Sequence, residues 1–66
     1  MILEILVVTK DGRSVGLPHN LLAKDYLILN DKTVFTKDDM PKARKLGLKV
    51  EFYMNIGGIP VRLGDA

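Results

Sequence analysis

Residues 48 to 55, LKVEFYMN, alternate apolar and polar side chains, and Ile56, Gly57 and Gly58 follow directly. A period of two marks a strand with one buried face. A two-residue turn at Gly57-Gly58 then sets Ile56 against Ile59, Met54 against Val61 and Phe52 against Leu63. Tyr53 falls across from Arg62 on the opposite face. Pro60 checks the register. Ile56 and Ile59 form the hydrogen-bonded closing pair, so the proline, which has no N–H, falls at a non-hydrogen-bonded position, as an edge strand tolerates. A phosphate-cradling loop would instead lead from a strand into a helix, with further glycines or a Lys-Ser/Thr pair at set spacing. These glycines lead into another strand, so they turn the chain.

The rest of the chain predicts more hairpins. Ile2 to Thr9 and Ser14 to Leu17 flank Asp11-Gly12, a favoured two-residue turn that pairs Val8 with Val15 and Leu6 with Leu17. The first of these strands is apolar on both faces, the pattern of a central strand covered above and below. Residues 18 to 25, PHNLLAKD, read as a single turn or an irregular loop pinned by Leu21 and Leu22. Tyr26 to Leu29 and Thr33 to Phe35 flank an Asn30-Asp31 turn and read as a second hairpin of ambiguous register. One helix is expected near residues 38 to 46. Thr36, Asp38 and Asp39 offer caps, Pro41 sits in the first turn and Gly47 stops it. Met40, Ala43 and Leu46 would form its buried flank. About two turns cannot stand alone, so this helix must dock on the sheet.

With 66 residues the chain has room for one domain, residues 1 to 66. A domain of this size buries only about 60% of its unfolded surface, so its core is small. With no cysteine, neither a disulfide nor a thiolate metal site is available. No basic stretch precedes the apolar N-terminus, and no run approaches the roughly 20 apolar residues that span a bilayer. A cytoplasmic protein with no membrane partner is the expectation. A formal charge of +2 permits nucleic-acid binding without arguing strongly for it.

Few residues form a chemical constellation. His19 is the one histidine, and no serine or cysteine nucleophile lies near it in sequence. Asp38 and Asp39 are adjacent, so on a helix they diverge and suit capping better than a metal. DYLILND lacks the alternating oxygen ligands of a calcium loop. No catalytic, cofactor or metal residue is therefore expected, and no cofactor. The clearest charge asymmetry is KARKLGLK, where Lys42, Arg44, Lys45 and Lys49 place four bases in eight residues with no acid among them. These four, with Tyr53 and Arg62 as a stacking pair, are the candidate anion or nucleic-acid contacts. Ile59, Val61 and Leu63 are the candidate edge-strand contacts.

The expected architecture is α+β: a small antiparallel sheet or open barrel of five to six short strands with one short helix, or alternatively an SH3-like barrel. The leading functional expectation is a non-enzymatic module that self-associates and binds protein as an accessory or regulatory factor. Its rival is a small nucleic-acid-binding domain using residues 42 to 49.

Overall fold

A computed structural model of the chain describes residues 1–65. Its fold is α+β, with strands β1 (Ile2–Lys10) and β2 (Arg13–Pro18), helices α1 (Leu21–Leu29) and α2 (Asp39–Lys45), and strands β3 (Lys49–Ile56) and β4 (Ile59–Asp65). The sheet is mixed and has four strands in the order β2-β1-β3-β4. The outer pairs are antiparallel hairpins, while β1 and β3 run parallel. Neither the antiparallel sheet of five to six strands nor a closed SH3-like barrel forms. Two of the expected extended segments are used in other ways.

The two terminal hairpins follow turn chemistry. Asp11 and Gly12 both adopt positive φ, and Val8 pairs with Val15 and Leu6 with Leu17. Gly57 and Gly58 do the same at the other hairpin, pairing Ile56 with Ile59 and Met54 with Val61. One expected pair is corrected. A register shift between Phe52 and Tyr53 sets Phe52 opposite Gly64 and leaves Leu63 as the extra residue of a bulge.

The expected central hairpin is replaced by α1. Asn20 caps this helix, its side-chain oxygen accepting from the Ala23 N–H at 3.0 Å. The same side chain accepts from the Glu4 N–H and donates to the Ile2 carbonyl, which ties the helix start to β1. Asn30-Asp31 does reverse the chain, but as a helix stop. Asp31 takes φ 54°, its N–H donates to the Ile28 carbonyl, and the Lys32 N–H reaches the Leu27 carbonyl. Those two bonds form a Schellman cap. An equivalent cap ends α2, where the Gly47 N–H bonds Arg44 and the Leu48 N–H bonds Ala43. The stretch Thr33 to Phe35 contributes a single bridge, with the Phe35 N–H donating to the Gly16 carbonyl at the outer edge of β2.

Parallel pairing of β1 with β3 sets Leu3 beside Val50 and Ile5 beside Phe52 on one face. Against that face pack Ala23, Tyr26 and Leu27 of α1, Ala43 of α2, and Phe35. Both helices therefore lie on the same side, over the half of the sheet where β1 and β3 begin. β1 is interior as expected, yet the helices cover only one of its faces. On the other, Leu6, Val8, Val15 and Leu17 are half-buried. Leu46, expected in the buried flank of α2, is exposed, whereas Ala43 is buried and Met40 half-buried.

Candidate functional site

The candidate residues are distributed over three surfaces of this frame. On the open face of the sheet, the β1–β3 register sets Glu4 beside Glu51 and Leu6 beside Tyr53, and Arg62 of β4 lies across from Tyr53. The Tyr53 hydroxyl donates to Glu51 Oε1 at 3.0 Å, and Arg62 Nη2 lies 3.6 Å from Glu51 Oε2. His19 packs its ring against Tyr53 with centroids 4.9 Å apart and planes tilted by 34°. Its backbone N–H donates to the Glu4 carbonyl. The bond to Glu51, with some burial and the nearby carboxylates, raises the Tyr53 pKa, and Arg62 opposes this. The hydroxyl is thus a proton donor held on the Glu51 carboxylate, which Arg62 also approaches.

The second surface is α2. Lys42, Arg44 and Lys45 are exposed on it, on the helix side of the sheet. By alternation with buried Val50, Lys49 belongs with Glu51 and Tyr53 on the open side. The six candidate anion contacts are thus split by the sheet. The structure joins Tyr53 with Arg62 and adds His19 and Glu51, but it separates this group from the three bases of α2.

The third surface is the half of the sheet that reaches past the helices. Residues Met54, Ile56, Ile59 and Val61 share the helix-facing side by register, and Leu63 follows in the bulge. All five are exposed. Ile59, Val61 and Leu63 were expected at the edge, and β4 is indeed an outer strand. Where this bare surface meets the helices lies an open groove of about 370 Å³, lined in part by Ile5, Val7, Phe35, Met40 and Phe52.

A fourth cluster, missed by reading the sequence, is internal. Asp39 is 1% exposed, and its carboxylate accepts from the Tyr26 hydroxyl, the Thr36 N–H and hydroxyl, and the Lys32 ammonium. Asp38 occupies the N-cap position of α2 without a side-chain cap bond. The expected role of these acids is therefore corrected. Asp39 ties the loop before α2 to α1, and capping is not what buries it. The available signal was Thr36-x-x-Asp39, a local carboxylate-to-backbone spacing that Tyr26 and Lys32 complete only in three dimensions.

Among the described residues, no helix is long and apolar enough to cross a membrane, and no cluster of three or more His, Cys, Asp or Glu could hold a metal ion. Comparison with family models, curated proteins and solved structures gave no match.

Proposed function

We propose that this chain is a non-enzymatic interaction module that self-associates and acts by binding protein. The observation that carries this reading is the bare apolar side of the β3–β4 hairpin. Met54, Ile56, Ile59, Val61 and Leu63 are 37%, 56%, 66%, 40% and 52% exposed. Their exposed parts amount to roughly 400 Å², within the range of the largest apolar patch on a typical monomer, which is often functional. The whole chain exposes 4669 Å², against about 4,200 Å² for a compact monomer of this mass. That excess is shared between the hairpin patch and the exposed Leu21, Ile28, Leu29 and Leu46 of the helices and their ends. β4 also has an outer edge, although Pro60 removes one backbone donor from it and limits strand addition.

Sedimentation velocity from low micromolar to several hundred micromolar tests this. The expected result is a reversible rise above the monomer mass of 7.4 kDa. A clean monomer over the whole range would overturn the self-associating part.

A second reading is nucleic-acid binding. It is favoured by the three exposed bases of α2 and, separately, by the His19–Tyr53 ring pair beside Arg62. Salt-dependent anisotropy with labelled oligonucleotides tests it.

A further inference from the structure

Each copy has a two-layer half, where helices cover the sheet, and a one-layer half, where they do not. A sheet with an apolar face is stable when a second layer covers it. By register and alternation, the helix-facing side of the bare half holds Val7, Thr9, Ser14, Met54, Ile56, Ile59 and Val61, with no formal charge. Lys37, in the loop before α2, is the charged residue lining the adjoining groove. A surface of this kind can face its own copy without setting like charges together. The open face offers less apolar area: Glu4, Glu51, Lys49, Lys10 and Arg13 alternate onto it, and Leu6, Val8, Val15 and Leu17 are already half-buried there, leaving Ile2 exposed.

We infer that two copies pack these bare halves face to face about a two-fold axis lying between the sheets and perpendicular to the strands. This rests on the self-association proposed above. The second copy's sheet then lies level with the first copy's helices, because sheet–sheet spacing and helix diameter are both about 10 Å. That axis sets each strand over its own counterpart. The Asp11-Gly12 tip of each copy thus meets the Phe35 wall beside β2 of the other, and the Gly57-Gly58 tip meets α2, which packs on β3. Both halves of each protomer become two-layered. The apolar patches of both copies, roughly 400 Å² each, hide about 800 Å², and the exposed Thr9 and Ser14 beside them add to it, against the roughly 1,000 Å² that a specific interface needs.

The three methionines make the test direct. Met54 lies on the bare face, Met40 on the groove wall, and Met1, 84% exposed, at the far end of the sheet. With ¹³C-methyl methionine, dilution through dissociation is expected to shift Met54 and Met40 together and leave Met1 in place. Val61→Lys is expected to weaken association at least tenfold with the circular dichroism spectrum unchanged, and Val61→Thr, which keeps the β-branch, to weaken it less. A wild-type chain that stays monomeric removes both the self-association and this arrangement. A dimer in which Met40 and Met54 stay fixed, or Met54 moves without Met40, leaves self-association standing and overturns the face-to-face geometry.

Discussion

Tyr26 donates its hydroxyl hydrogen to Asp39 at 2.9 Å, so that α1 and α2, thirteen residues apart at this contact, are joined through a buried carboxylate. The Tyr26 ring stacks on Phe35, with centroids 5.6 Å apart, and Phe35 in turn bridges to β2. One tyrosine thus connects both helices and the loop between them to the sheet edge. Removing its hydroxyl in Tyr26→Phe should lower unfolding free energy by about 1 kcal/mol. Asp39→Ala leaves a tyrosine hydroxyl, a backbone N–H and an ammonium without their acceptor, and should lower it by about 3 kcal/mol. Urea titrations of the two variants measure both.

The same pair predicts stability loss at both pH extremes. Burial alone would raise the Asp39 pKa, but the bonds from Lys32, Thr36 and Tyr26 outweigh it and bring the group from 3.8 to about 2. Its folded pKa is below its unfolded value, so its stabilisation is full above about pH 4 and fades as pH falls toward 2. Burial, then the bond to Asp39, pushes Tyr26 from 10.0 to about 12. Its contribution is therefore full below pH 10 and is lost as pH rises toward 12. Unfolding free energies at pH 3, 7 and 11 should fall on both sides of neutral. Asp39→Ala should flatten the acid limb and Tyr26→Phe should shrink the alkaline one.

Gly16 is required by a close approach. A Cβ there would lie 3.0 Å from Ile5 Cγ2 and 3.1 Å from Phe35 Cβ. Gly16→Ala should push Phe35 off the β2 edge and destabilise by about 1–3 kcal/mol. In a domain of this size that is a fall of at least about 4 °C in Tm, readable in a thermal melt.

At the second hairpin, Gly57 and Gly58 both hold positive φ. Asparagine is the next best residue for the first turn position and restricts the unfolded chain more than glycine does. Gly57→Asn should therefore stabilise the fold by about 0.5 kcal/mol, measured by the same melts. A loss of stability would mean that this turn is not of the primed type.

The split of the basic residues gives the nucleic-acid reading a sharp form. If α2 makes the contact, neutralising Lys42, Arg44 and Lys45 should lower the slope of log affinity against log salt by about 2–3. If the open face makes it, Tyr53→Ala should weaken single-strand binding by about 1–3 kcal/mol and the α2 changes should matter little. Anisotropy across a salt series separates the two.

Both terminal hairpins were legible because their causes are local. Asp11-Gly12 and Gly57-Gly58 supply positive φ, the alternation around them fixes the register, and Pro60 confirms it. The α2 boundaries were legible for the same reason, through Pro41 and Gly47. Helix α1 was hidden because LLAKDYLIL is apolar almost all round: Ala23, Tyr26 and Leu27 are buried while Leu21, Ile28 and Leu29 are exposed. No clear stripe marked it as a helix, and its β-prone residues and Asn-Asp stop imitated a hairpin.

What the sequence determined alone was the set of turns, caps and strand registers that neighbouring residues enforce on one another. What only the tertiary structure decided was pairing over distance. The parallel contact of β1 with β3 joins Leu3 to Val50, the buried carboxylate of Asp39 collects donors from Tyr26, Lys32 and Thr36, and the sheet parts Lys42, Arg44 and Lys45 from Tyr53 and Arg62. These contacts depend on which elements exclude water together, and that free energy belongs to the packed layers rather than to any short stretch of chain.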